Sequence, residues 1–304
     1  MQASIAQQQI MASFCTYVKL LRPEQWVKNV FVLLPLFFSG SMLDGAKVSD
    51  ALWVFAAFCL ISSSVYCIND ACDADTDRLH PDKRHRPIAS GLISRRHALI
   101  AAATLATAVA PICLFSGMCR PGLVITIIYS YLLLNIAYCI RFKRYHVIDV
   151  VILSSGYVLR VLAGGVGTSI TLSSWILVMT FLIALFLSVA KRCDDATIYK
   201  TTGEKMRSNV DFYARNGIEI ALRAIAGVTF ACYMLYTVSD EVMQRLHSHY
   251  VFITSIFVLI GLMRYLHITL VQHRSGNPTS VLLHDHLLQL DIALWILTFV
   301  LIIY

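Results

Sequence analysis

Polar and apolar positions in this chain alternate over whole segments, not over single turns. Apolar runs of about 17 to 25 residues, the length that crosses a bilayer as a helix, fall at 26–43, 51–68, 98–115, 122–140, 147–166, 172–190, 217–238, 250–271 and 287–304. Two of these nine are weak: the first is short and carries Pro35, and the eighth is interrupted by Arg264 and His267. The pattern therefore predicts eight or nine membrane-crossing helices. The polar stretches between them are short except for 69–97 and 191–216, which are read as two loops capping one end of the bundle. No Gly-, Ser- or Pro-rich linker interrupts the order, so a single transmembrane domain over 1–304 is expected. Residues 1–21 are mixed in character and suit an amphipathic segment on the membrane surface or, equally well, a disordered leader. Residues 1–11 are polar and uncharged, without a secretory signal pattern, so the chain is expected to be retained whole.

Composition agrees with the pattern. Hydrophobic residues make up 58% and charged residues only 14%, against about a quarter charged in soluble domains. The fold class is an all-α integral membrane protein. Most of the 25 Lys and Arg fall before the first apolar run and after the second, fourth, sixth and eighth, whereas the alternate loops carry Lys47, Arg120 and Arg245. By the positive-inside rule the N-terminus and the basic loops face the cytosol. The net charge of +7 then reflects topology and anionic substrates, not nucleic acid. The nine cysteines include no Cys-x-x-Cys pair, which argues against a disulfide framework or a zinc site. Cys67, Cys72, Cys139 and Cys193 are expected as small core residues.

The richest chemistry lies where the second apolar run ends, at Asn69-Asp70-x-x-Asp73-x-x-x-Asp77. On a helix these carboxylates stand at i, i+3 and i+7 and share a face. Like charges so close repel unless a cation holds them, and Mg²⁺ is commonly held by one or two carboxylates together with substrate phosphates. A Mg²⁺-diphosphate is the natural guest. The segment that follows adds His80-Pro81, Lys83, Arg84, Arg86-Pro87 and Gly91, placing bases within reach of the free phosphate oxygens. Positive-inside bias explains these bases equally well, but it does not explain the acids.

The same pairing of acid and base recurs at the end of the sixth run, in Lys191-Arg192-x-Asp194-Asp195. That suggests a distant internal duplication, with two acid-bearing helix ends facing each other across a cavity. Near the start, Lys28 and Asn29 lie just inside the first run, suiting either a phosphate or a side chain that snorkels to the surface. Within the spans, Glu219 and Arg223 at i, i+4 are expected to neutralise each other. Arg160 lies about 20 Å along its helix from the cytosolic end, with no role assigned, and Asp149 is expected to order the site or cap a helix. His284-Asp285-His286 cannot converge on one metal from a helix and is read as a membrane-surface segment.

These blocks resemble the UbiA superfamily of intramembrane prenyltransferases. Arg22-Pro23-x-Gln25-Trp26-x-Lys28-Asn29, the acid run through Gly91, Val158-Leu159-Arg160-Val161-Leu162-Ala163-Gly164, Lys191-Arg192 and Gly276-Asn277-Pro278-Thr279 with Asp285 narrow it to the decaprenyl-phosphate phosphoribosyltransferase branch. The resemblance implies about nine helices around a cytosol-facing cavity in a bacterial inner membrane. It also implies Mg²⁺ at Asp70, Asp73 and Asp77 with help from Asn69, and transfer of 5-phosphoribosyl from phosphoribosyl diphosphate to a polyprenyl phosphate for cell-wall synthesis. Lys28, Asn29, Lys83, Arg84, Arg86, Lys191, Arg192 and Asp195 would then bind substrate. The chain departs from the branch at Asp195, where Glu is usual, and over 213–219. Two other readings stand beside it: a UbiA-type enzyme that moves a prenyl group from its diphosphate to an aromatic acceptor, and a transporter or channel. Few charges lie along any transmembrane path, which disfavours the last. Lipid length and oligomeric state, a homo-oligomer included, are left open.

Overall fold

A computed structural model describes residues 15–79, 83–203, 210–215, 217–246, 248–273, 275–276 and 278–304. Of the predicted N-terminal segment, residues 15–21 are helical and the rest lies outside the described residues. A 3-10 helix, Pro23–Leu33, then runs into α1, Leu34–Phe38. The helices that follow are α2 (Gly45–Arg78), α3 (Arg95–Phe115), α4 (Pro121–Ile140), α5 (Ile148–Gly167), α6 (Ser174–Thr202), α7 (Val210–Arg215), α8 (Ile218–Thr237), α9 (Asp240–Leu246), α10 (Ser255–Leu270), α11 (Pro278–His284) and α12 (His286–Ile303). Among the described residues, eight helical segments are long and apolar enough to cross a membrane: α2 to α6, α8, the stretch Tyr250–Leu270 ending in α10, and α12.

The first predicted crossing is the one that differs. At about 2.0 Å per 3-10 residue and 1.5 Å per α residue, Pro23–Phe38 covers about 30 Å, so the path is long enough although no single α-helix forms it. Pro35 supplies part of the reason, because it has no N–H to offer the Phe31 carbonyl. Leu34 N–H takes that carbonyl in the shorter i+3 register instead. With three residues per turn, Trp26, Asn29 and Val32 fall along one edge of the segment.

Two of the predicted loops also start later than their polarity suggests. α2 continues through the acid run to Arg78, and α6 continues through Lys191-Arg192 to Thr202. Asp44 starts α2 by accepting the N–H groups of Ala46 and Lys47, and Gly203, at φ 73°, ends α6 in the left-handed conformation. The 34 residues of α2 span about 51 Å, more than the roughly 30 Å of bilayer hydrocarbon. Its last turns are therefore free to project into water.

The chain sorts into two compact units, 1–143 with 159–171 and 144–158 with 172–304, so that α5 contributes its first half to one and its second half to the other. In the first unit α2 is the central helix, with Val54, Ala57, Phe58 and Ile61 packed against Val109, Val124, Ile128 and Ala163. Small residues let its neighbours come close: Ser64 Oγ donates to the Ala102 carbonyl at 2.8 Å and Ser63 Oγ to the Leu21 carbonyl at 2.9 Å. Gly164 lies so near the 3-10 helix that a Cβ there would stand 2.0 Å from the Val32 carbonyl oxygen. In the second unit Phe186, Ala190 and Cys193 of α6 pack with Leu222, Leu262, Tyr265 and Ile268. Arg264 does not interrupt α10, because Asp285, which caps α12, accepts its Nη2 at 2.6 Å. All nine cysteines are free; Cys67, Cys139 and Cys193 are buried as expected, whereas Cys72 is exposed.

Candidate functional site

In the first unit the acid run forms the last turns of α2. Asp70 and Asp77 are seven residues apart and so lie within about 20° of each other around the helix, while Asp73 is turned about 60° away. Asp70 and Asp77 are buried, at 1% and 4% exposure, and Asp73 is half-buried. Buried carboxylates require compensating charge, and two arginines supply it. Arg22 Nη2 donates to both Asp70 oxygens, at 2.7 and 2.8 Å. Arg86 Nη1 bridges the pair, donating to Asp77 Oδ2 at 2.7 Å and to Asp70 Oδ1 at 3.3 Å. Asp73 instead takes Lys143, and Asn69 Oδ1 accepts the Cys139 thiol at 3.3 Å.

The local backbone explains how Arg22 arrives there. It precedes Pro23, which disfavours the right-handed helical region for the residue before it, and it sits at φ 53°, ending the helix over 15–21. Its guanidinium also lies over the Tyr66 ring, 5.2 Å from the centroid and one helical turn below Asp70. Arg86 follows the short 3-10 turn Lys83–His85. Within that turn Lys83 is half-buried, and Arg84 is exposed with Nε 3.3 Å from His85 Nε2. His80, Pro81 and Asp82 lie outside the described residues.

Of the predicted pair Lys28 and Asn29, Lys28 is half-buried and Asn29 is wholly buried. The Asn29 amide donates to Ser62 Oγ at 3.2 Å and Cys59 Sγ at 3.4 Å and accepts Arg160 Nε at 2.8 Å. Arg160 also donates to the Tyr131 hydroxyl at 3.0 Å and lies over the Tyr131 and Phe58 rings. Asn29 thus meets an arginine and two side chains of α2, and presents no surface to a ligand.

The second unit has its own cluster. Arg192 is 1% exposed; its Nε donates to Asp149 Oδ2 at 2.8 Å and its Nη1 to Asp195 Oδ2 at 3.2 Å. Its Nη2 is buried and has no hydrogen-bond partner among the described residues. Asp149 Oδ1 accepts the Tyr213 hydroxyl at 2.6 Å, and that hydroxyl accepts Val147 N–H at 3.0 Å. Burial, and then the Asp149 hydrogen bond, push the Tyr213 phenol above its ordinary pKa. Lys191 is half-buried, and Asp194 is buried with Oδ1 unpartnered and Oδ2 beside Gly276. Asn277 lies outside the described residues.

Arg22, Lys143 and Tyr213 are functional neighbours that residue patterns did not single out. Lys143 looks like any basic loop residue, and Tyr213 like any aromatic beside the membrane. Arg22-Pro23 was visible as a motif, but nothing in its spacing pairs it with an aspartate 48 residues on.

Mg²⁺ suits this acid set. Asp70, Asp73, Asp77 and Asn69 offer only hard oxygen donors, and each carboxylate already faces a cation. Among the described residues no group of three His, Cys, Asp or Glu side chains is placed to hold a metal ion, so the fit rests on the pair Asp70 and Asp77 that meets at Arg86. That leaves the open arrangement in which protein carboxylates share Mg²⁺ with phosphates.

The profile of the UbiA prenyltransferase family matches residues 32–288. The decaprenyl-phosphate phosphoribosyltransferase of Mycolicibacterium smegmatis is 34% identical over 92% of this chain and 89% of its own length. That of Corynebacterium glutamicum is 31% identical over 94% and 86%. Among solved structures, a UbiA homolog from Archaeoglobus fulgidus bound to DMAPP and Mg²⁺ superposes with a TM-score of 0.70 at 18% identity, covering 95% of this chain and 99% of that one. A homolog from Aeropyrum pernix gives 0.64 at 16% identity, over 89% and 97%. Profile, full-length relatives and fold agree, and the chain is an integral membrane protein that belongs to the UbiA prenyltransferase family.

Proposed function

We propose that this protein is a Mg²⁺-dependent polyprenyl-phosphate phosphoribosyltransferase. It moves 5-phosphoribosyl from phosphoribosyl diphosphate to a polyprenyl monophosphate such as decaprenyl phosphate. The observation that carries the reading is the pair of buried carboxylates, Asp70 and Asp77, joined by Arg86 and flanked by Arg22. The full-length similarity to two enzymes named for this activity supports it.

The chain's residues have distinct tasks in this scheme. Asp70 and Asp77 would hold the metal, with Asp73 and Asn69 beside them; bound there, Mg²⁺ would offset charge on the departing diphosphate. Arg86 and Arg22 stand at the edge of the acid pair, where they can shift from carboxylate to phosphate oxygen. Lys28, Lys83 and Arg84 add positive charge around the donor, and Lys191 and Arg192 hold a phosphate in the second unit. The anomeric carbon–oxygen bond to diphosphate breaks as the lipid phosphate oxygen bonds to that carbon. No general base is required, because a phosphate monoester is already anionic at neutral pH. Asn29 serves Arg160 and not the substrate. The concentration of Lys and Arg in alternate loops supports a cytosolic active site in a bacterial inner membrane.

Purified protein supplied with labelled phosphoribosyl diphosphate and a panel of polyprenyl phosphates should place label in lipid. Prenylation of a soluble aromatic in place of that transfer would support the second enzymatic reading, which the DMAPP-bound Archaeoglobus homolog keeps in view. Turnover of neither would defeat both.

A further inference from the structure

We propose that Tyr213 is a positioning residue that keeps Arg192 Nη2 free to receive a phosphate oxygen, by holding the Asp149 carboxylate turned so that Oδ1 faces the phenol and not Nη2. The inference rests on the assignment of Arg192 to a phosphate in the preceding section. Guanidinium and carboxylate normally pair through two parallel hydrogen bonds. Here Asp149 makes only one of them: Oδ2 accepts Arg192 Nε at 2.8 Å, while Oδ1 is taken by the Tyr213 hydroxyl at 2.6 Å. Arg192 Nη2 is therefore left over, buried and without a partner among the described residues, although the rest of the fork is engaged. Buried donors in folded proteins almost always find a partner, so a missing one in a substrate-binding cluster marks the place of a ligand atom.

The direction of the tyrosine hydrogen bond is fixed by its surroundings. Tyr213 Oη accepts Val147 N–H at 3.0 Å, which leaves its own proton for Asp149. Val147 holds that N–H in place from φ 65°, a left-handed conformation that a β-branched side chain rarely adopts. The adjacent His146 ring stacks on Phe212 with centroids 4.1 Å apart, giving α7 a second hold on the same backbone. Removing the phenol oxygen would free Asp149 Oδ1 to turn onto Nη2 and complete the two-bond pair. Val147 N–H would lose its acceptor too, but Val147 is exposed and water can replace it, so the new pair would hold stability while the receiver would be lost.

Stability and phosphate affinity should therefore separate. In purified full-length Tyr213→Phe, the midpoint of thermal unfolding should stay at or above that of the wild type. Affinity should fall about tenfold, the size of one charge-assisted hydrogen bond, for one of two probes: inorganic diphosphate with Mg²⁺, or farnesyl monophosphate. The affected probe tells whether the phosphate belongs to the sugar donor or to the lipid. Arg192→Lys should weaken the same probe, and adding Tyr213→Phe to it should cost nothing more. Tyr213→Gln, which still has a donor for Asp149, should recover part of the affinity. Unchanged affinity for both probes in Tyr213→Phe, a lowered midpoint that tracks the loss, or additive effects in the double variant would overturn the inference. Because binding is read without turnover, a wild type that transfers no phosphoribosyl group would remove the proposed reaction and leave this comparison standing.

Discussion

The two units bury the same residue types differently. In the first, the acids are interior and the bases peripheral: Asp70 is 1% exposed, whereas the Arg22 and Arg86 side chains that serve it are 19% and 26% exposed. In the second, the base is interior, with Arg192 at 1% exposure clamped between Asp149 and Asp195. A peripheral cation on a fixed acid can be exchanged for another cation, such as a metal, without exposing the core. An interior cation among fixed acids cannot leave, and can only extend its remaining donor to something that comes to it. Acids in the first unit should thus matter to chemistry, and acids in the second to integrity.

The largest effect expected from this contrast is on stability. Asp149→Ala strips a fully buried arginine of its main partner, and breaking such a pair costs about 3 to 5 kcal/mol; thermal unfolding in detergent should show it, and an unchanged midpoint would erase the distinction. Asp70→Asn should lower phosphoribosyl transfer by about 10² to 10³-fold, the usual cost of removing one key electrostatic group, while the protein still inserts and unfolds near the wild-type temperature. Next comes Gly164→Ala, which drives a methyl group into the Val32 backbone carbonyl. Overpacking of this kind costs about 1 to 3 kcal/mol and should disturb the 3-10 helix, and with it the reach of Arg22 to Asp70, while leaving the Arg192 cluster intact.

Smaller effects test the edges of the contrast. Arg264 holds the Asp285 carboxyl below its usual pKa of 3.8. Stability from this lowered pKa is present above that value and drains away as pH falls through the depressed one; Arg264→Gln should abolish that part of the acid dependence. Asp75→Asn should change neither activity nor unfolding. Asp75 belongs to the same acidic run but is exposed, with Arg78 and Arg95 as its partners. A large loss there would mean that position in the run, and not burial, decides which acids count.

Much of this was legible in the chain itself. Long apolar runs marked six of the crossings to within a few residues at both ends, because a helix in lipid has to satisfy its own backbone groups. The acid face of Asp70 and Asp77 followed from helical spacing alone. What polarity concealed was that α2 and α6 go on as helices after leaving the apolar zone: charge marks where the membrane ends, not where the helix does. The aspartate partners of Arg22, Lys143 and Tyr213 stayed hidden for a different reason. Each meets its aspartate across 48 to 70 positions of sequence, and such pairings depend on helix placement, on which a single sequence is silent.

Trp26, Asn29 and Val32 carry one further consequence. Their spacing of three makes a straight edge only while the segment is wound at three residues per turn, and along that edge they meet Ser63, Ser62 and Gly164 in order. Rewinding Pro23–Leu33 to the α form would shorten it by about 5 Å and fan the three side chains around the axis, taking Asn29 off Arg160. The tighter coil therefore acts as a ruler: it sets how far Arg22 reaches towards Asp70 at one end while fixing the buried guanidinium at the other.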